Sequence, residues 1–170
     1  MDSAVSNAKT ERVAKADAAD AVRVRRVRAA DVPHVIDLDA HVTKIAKAAY
    51  WNDIFRRYGR QRLNERFFLV AEDGAQRSGS GVLGFIIGEI RAWEFGSTPC
   101  GWVFALSVEP RARLAGIGSA LFAAISEEFK KAGVNKMRTM VARDSMLPLQ
   151  FFRSEGMMAG PYLQLEKDLE

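Results

Sequence analysis

An α/β (α+β) fold, built on a central mixed, twisted sheet of six to seven strands with helices on both faces, is what the sequence predicts. Three observations carry the prediction. From Val22 onward, short strand-like runs alternate with segments whose apolar residues recur at three- and four-residue spacing. One run, Val82 to Ala92, holds a near-continuous apolar stretch, as a strand covered on both faces does. A third run, Trp102 to Val108, passes through a Glu109-Pro110 break and a glycine-containing turn straight into a helix pattern of Ile117, Leu121, Ile125 and Phe129.

The elements follow in order. Within residues 1–21, the run from Asp2 to Ala21 is dominated by Ala, Asp, Lys and Ser, with only Val5 and Val13 as large apolar groups. Such a segment buries too little surface to offset its ordering entropy, so it reads as a flexible tail ahead of one domain over 22–170. Its acidic residues Asp2, Glu11, Asp17 and Asp20 argue against a targeting peptide. Val22 to Val27 is a first strand whose arginines suit a sheet edge. Asp31 is placed to cap a helix opening at Val32-Pro33 and carrying Val35, Ile36 and Leu38. Ile45, Ala48, Trp51, Ile54, Phe55 and Tyr58 give a second helix ending near Gly59. Phe67 to Glu72 is a strand, and Asp73-Gly74 opens a polar loop running to Gly81. After the two strands and the helix already described, which stops near Gly133, come a strand at Lys136 to Ala142 and a short helix at Leu147 to Arg153. A final strand region covers Met157 to Leu169.

Composition sets broad bounds. A chain of 170 residues, 48% hydrophobic and 27% charged, suits one globular domain with a sizeable core. A net charge of +4 is too small to indicate nucleic acid and suits an anionic ligand equally well. The single cysteine, Cys100, excludes an intrachain disulfide and fits a reducing cytoplasm. No apolar run approaches the ~20 residues that span a membrane. The two histidines, His34 and His41, have no ligand-spaced companions, so no metal is expected.

The chemistry concentrates at Arg113-Leu114-Ala115-Gly116-Ile117-Gly118-Ser119. Amides at a helix start lack intrahelical partners, the helix dipole favours negative charge, and glycine lets a ligand approach the backbone. A phosphate-bearing ligand fits such a turn. A Walker loop would need Lys then Ser or Thr after Gly118, where Ser119 and Ala120 stand. A dinucleotide fingerprint would need a small residue in place of Leu121. The stretch instead resembles the Arg/Gln-x-x-Gly-x-Gly/Ala signature of the GNAT superfamily of N-acetyltransferases, and Leu106-Ser107-Val108-Glu109-Pro110-Arg111 fits the strand and turn before it. The order βααβββαβαβ matches the same family. Val141, Ser145, Pro148, Phe151-Phe152 and Gly156-Met157 resemble its second cofactor-binding motif, with Ser145 and Phe152 where relatives most often have Asn and Tyr.

The resemblance implies acetyl transfer from acetyl-CoA to an amine of a small molecule or protein, by a cytoplasmic monomer or homodimer, without metal, nucleic acid or membrane. It implies that Leu106, Ser107 and Val108 pair with the pantetheine arm, and that residues Arg113 to Ser119 hold the pyrophosphate. Ser145, Phe151 and Phe152 complete the cofactor site. An attacking amine must be neutral, whereas a lysine-like ammonium has a pKa of about 10, so a carboxylate base is needed. The fourth strand carries no acid, which leaves Glu89 in the third strand and Glu94 beside Trp93 and Phe95. Phe152 has no proton to give the departing thiolate, so Tyr162, Ser145 or water takes that part, or the thiolate leaves as such. The missing tyrosine and fourth-strand acid also admit a catalytically silent domain that binds acyl-CoA as a sensor or interaction module.

Overall fold

The computed structural model describes residues 22–74, 81–113 and 115–169. The N-terminal segment, most of the loop before Gly81, and Leu114 lie outside them, as does the terminal Glu170. The chain divides into two compact units, one ending at Met140 and the other beginning at Val141.

The first unit is built on one five-stranded sheet. Its strands are β1 (Val22–Arg26), β2 (Arg66–Asp73), β3 (Gly84–Arg91), β4 (Cys100–Val108) and β5 (Met137–Thr139), side by side in that order. The first four pair antiparallel and β5 pairs parallel to β4, so the sheet is mixed. The arginine-rich β1 lies at an edge, as its composition implies.

Six to seven strands are expected from the sequence, and five form among the described residues. The shortfall lies at the C-terminal end. Residues 157–169 join no strand. They contain no β-branched residue, Pro161 has no N–H to offer a ladder, and Met158, Leu163 and Leu165 stand exposed. The strand expected over Lys136 to Ala142 is also shorter, Met137–Thr139, and its pairing with β4 stops at Val103.

Helices cover both faces. On one lie α1 (Val32–Thr43) and α2 (Ala48–Ile54), packed with Phe68, Val70, Phe85 and Ile87 around the buried Trp51. Trp51 donates its indole N–H to Asp39 Oδ2 at 2.8 Å, which satisfies the one polar atom its burial would otherwise strand. On the other face α3 (Ile117–Lys131) packs Ile117, Leu121, Ile125 and Phe129 onto Phe67, Leu69 and Ile86. The four-residue spacing read in the sequence is this buried stripe. Each such side chain contributes roughly 1.5–3 kcal/mol by leaving water. Gly133 ends α3 at φ 80°, with Val134 N donating to Phe129 O at 3.0 Å, the bond pattern of a glycine-terminated helix. The second unit holds α4 (Met146–Ser154), in which Phe151 and Phe152 meet edge to face.

Two local readings need correction. Asp31 does not cap α1 through its side chain. Its carboxylate accepts the Arg28 N–H and is gripped at both oxygens by Arg25, at 2.6 and 2.9 Å, because a buried carboxylate takes the strongest donors in reach. The second helix starts at Ala48, leaving Ile45 exposed, and beyond Ile54 it widens into a π turn, Phe55–Gly59.

Candidate active site

The expected binding segments in the first unit sit along β4 and the turn behind it. Strand β3 pairs Ile87 with Ala105 but Gly88 with Val103, so Phe104 is an extra residue in β4. Both Phe104 and Ala105 consequently pack toward the α1/α2 face, which two neighbours in a regular strand do not. A bulge of this kind bends its strand. Pairing of β4 with β5 runs through Gly101–Met137, Trp102–Arg138 and Val103–Thr139 and stops there. From Phe104 to Val108, β4 has no strand partner on its β5 side among the described residues, and Leu106, Ser107 and Val108 are each partly exposed.

Beyond Val108 a 3-10 turn, Pro110–Ala112, leads to Arg113, which is exposed, and past Leu114 to Ala115 and Gly116. Leu114 itself falls outside the described residues. Gly116 precedes α3 at φ 73°, a left-handed conformation that favours glycine, and a Cβ there would meet nothing within 4 Å. Gly116, at the N-cap, has no side chain to cap the helix, and the opening bond, Ala120 N to Gly116 O, is 3.0 Å long. The amides of Ile117 and Gly118 lie ahead of that bond, where a helix offers no acceptor. Ser119 is the third residue of the helix and is partly exposed. A glycine at the N-cap in a left-handed conformation, with open space beside it, fits a pyrophosphate.

Glu89 is the expected base that acquires a setting. It receives the Tyr58 hydroxyl on Oε2 at 2.8 Å and Arg91 Nε on Oε1 at 3.0 Å. The π turn of α2 places Tyr58, whose ring also packs on Phe104 with centroids 5.1 Å apart. Burial first, and then the adjacent Glu89 carboxylate, push the Tyr58 hydroxyl up to about 12, so it stays protonated and donating at neutral pH. Strand register aligns Arg66, Glu89, Trp102 and Arg138 across one row of the sheet. Arg66 stacks on Tyr58 at 5.2 Å and Arg91 on Trp102 at 4.5 Å. Glu89 is thus a half-buried, hydrogen-bonded carboxylate on the face that holds Phe104 and Ala105.

The other expected residues separate. Glu94 lies in an exposed 3-10 turn, flanked by Trp93 and Phe95 at 71% and 95% exposure, with both aromatics held at positive φ. In the second unit Ser145 precedes α4 and donates its backbone N–H to Ala142 O, Phe151 is partly exposed, Phe152 is buried, and Tyr162 is half-exposed in the strandless stretch. Cys100 is buried, and His41, read as a solvated helix residue, lies 3.5 Å from Glu109. Lys130 and Lys131 pair with Glu127 and Glu128 on the exposed side of α3. Sequence reasoning missed Tyr58, Arg66 and Arg91. The alternation of Glu89 and Arg91 was a usable signal, but Tyr58 reaches Glu89 through a helix irregularity that no periodicity reports.

A bulged fourth strand that loses its ladder partner beyond Val103 and runs into a glycine-led helix fits the GNAT class of acetyltransferase fold. The chain belongs to the acetyltransferase (GNAT) family, whose model matches residues 35–154. Solved structures agree on the fold. Aminoglycoside N-acetyltransferase AAC(6′)-Iy in complex with CoA superposes with a TM-score of 0.73 at 14% identity, covering 86% of this chain and 94% of that one. AAC(6′)-Ih from Acinetobacter baumannii gives 0.71 at 14%, covering 88% and 99%. An acetyltransferase of Trypanosoma brucei gives 0.65 at 22%, covering 87% and 99%. No curated protein matches the sequence. Among the described residues no helix is long and apolar enough to cross a membrane, and no group of three His, Cys, Asp or Glu is arranged to hold a metal.

Proposed function

We propose that this chain moves an acetyl group from acetyl-CoA directly to an amine. The observation that carries the reading is the loss of a ladder partner by β4 beyond Val103, between the Phe104 bulge and the Gly116-led helix. Backbone groups of Leu106, Ser107 and Val108 hold the pantetheine arm by strand-like pairing. The amides from Leu114 to Ser119, with Arg113 beside them, hold the pyrophosphate through the helix dipole and unpaired N–H groups. Acetyl-CoA supplies the activated acyl group when bound.

The chain's own contribution to the chemistry is the carboxylate of Glu89. An amine arriving over the α1/α2 face gives its proton to Glu89, directly or through one water, as its nitrogen bonds to the acyl carbon and the carbon–sulfur bond breaks. Tyr58 and Arg91 fix the two oxygens of Glu89 and are positioning residues. The thiol of the departing group has an ordinary pKa of about 8.5, so it leaves without a dedicated acid. Glu94, exposed in its turn, is the less well-placed candidate for the base. The parts given to Ser145, Phe151 and Phe152 rest on the sequence motif alone, and Tyr162 stands only as an alternative proton donor to the thiolate.

The test is paired. Calorimetric titration with acetyl-CoA should show saturable binding, and thiol release should follow on adding primary amines. Binding without thiol release across a broad amine panel would support the silent, acyl-CoA-binding module instead.

A further inference from the structure

The Glu89 site carries more positive charge than a base needs. Five arginines, at positions 56, 57, 60, 62 and 66, fall in the fifteen-residue stretch from 52 to 66, against two acids, Asp53 and Glu65. Asp53 is occupied by Arg56 and Arg57, and Glu65 by Arg62. Arg66 meets no carboxylate among the described residues. Its guanidinium lies over the Tyr58 ring, and one nitrogen donates to Arg57 O at 3.3 Å. Arg91 uses only Nε on Glu89, which leaves the two terminal nitrogens of its fork without a protein acceptor among the described residues. Arg57 also stacks on Tyr58, with its guanidinium 5.8 Å from the ring centroid. Three guanidinium groups therefore converge on one tyrosine–carboxylate pair, on the face that carries the Phe104 bulge.

We infer that the acceptor is a small amine carrying a carboxylate, of the free amino-acid type, bound with its amine at Glu89 and its carboxylate in the forks of Arg91 and Arg66. The inference deepens the acetyl-transfer reading and rests on it. A guanidinium fork matches a carboxylate in geometry and charge, and the aromatic stacking of both arginines holds the forks in place before any ligand arrives. Glu89 alone then serves the amine, so each charge on the acceptor finds its opposite. A polycationic acceptor, such as the aminoglycosides of the structural neighbours, would instead face Arg66 and Arg91 with only Glu89 to balance them, since Asp53 is already taken by Arg56 and Arg57.

The experiment compares free amino acids with their carboxamides, which keep the amine and remove the charge. The kcat/KM for the amino acid should exceed that of its amide by about tenfold or more, as a desolvated charge-assisted contact provides. In Arg66→Met and in Arg91→Gln that ratio should fall toward one. Damage to the base alone would lower both rates and keep the ratio. Calorimetry with N-acetyl amino acids should show the same preference over N-acetyl amides, and Arg66→Met should abolish it. Equal rates for acid and amide, or faster turnover of aminoglycosides, would overturn the inference and leave acetyl transfer standing. Peptides acetylated ahead of free amino acids would overturn the small-molecule assignment. No turnover with any amine would remove the acetyl-transfer reading and this one with it.

Discussion

Replacing Tyr58 by Phe deletes one hydroxyl and keeps the ring against Phe104. What is lost is the 2.8 Å hydrogen bond to Glu89 Oε2. Hydrogen bonds to charged groups contribute roughly 1.5–3 kcal/mol. The Glu89 side chain is one-fifth exposed and keeps its contact with Arg91, so water replaces part of the loss. The net cost should be about 1–2 kcal/mol. For a chain of this length each kcal/mol lowers Tm by about 2–4 °C, which puts the fall at about 2–8 °C in a thermal melt. The pH dependence adds a second signature. The Tyr58 pKa is raised in the folded state to about 12, so its contribution is complete below the unfolded value of about 10 and is lost as pH rises toward 12. Wild-type stability should decline over that window, and Tyr58→Phe should lack this part of the decline. The rate effect should be smaller than that of losing the base, because Tyr58 positions Glu89 and transfers no proton. An unchanged Tm with an identical alkaline profile would refute the Tyr58–Glu89 contact as a feature of the folded protein.

Glu89→Gln should lower kcat by ~10²–10⁴-fold at neutral pH, with the defect shrinking as pH rises and more acceptor amine is already neutral. A deficit equal at every pH would assign Glu89 to binding. Gly118→Glu places bulk and negative charge at the start of α3 and should abolish acetyl-CoA binding by calorimetry while leaving the circular dichroism unchanged. Gly101→Ala would drive a Cβ into the Phe129 ring, so urea unfolding should show a loss of about 1–3 kcal/mol. Asp31 is pushed up by burial, but the Arg25 hydrogen bonds and the Arg28 N–H outweigh that and hold it below the ordinary carboxylate range. Its contribution is therefore present above pH ~4 and lost on acidification through the lower folded value. Asp31→Asn should cost about 3 kcal/mol near neutrality, by leaving Arg25 with Glu72 alone, and should flatten the acid limb of stability.

The local patterns in the sequence located most of the fold. The four-residue stripe of Ile117, Leu121, Ile125 and Phe129 is the buried face of α3, and the apolar run before Gly88 is a strand covered on both sides. Gly116 and Gly133 mark the ends of that helix because each occupies a left-handed conformation. Leu163 and Leu165 alternate like a strand, yet their segment joins no sheet, since alternation does not supply a pairing partner. The site was legible in part for the same reason. The glycine turn is contiguous in sequence and could be read directly. The surroundings of Glu89 come from register between β2, β3 and β4 and from the π turn at Phe55–Gly59, none of which leaves a local trace. The bulge at Phe104 is equally a property of pairing.

The central claim is that an amine takes the acetyl group directly, with no acyl-enzyme on the way; Cys100, the one cysteine, is buried. A single-turnover experiment with acetyl-labelled acetyl-CoA and enzyme in excess tests it most directly. The account predicts that label appears in the N-acetylated amine at the rate of thiol release, with none on the protein at any time. Label accumulating on the protein, or tight acetyl-CoA binding with no label passed to any amine, would contradict it.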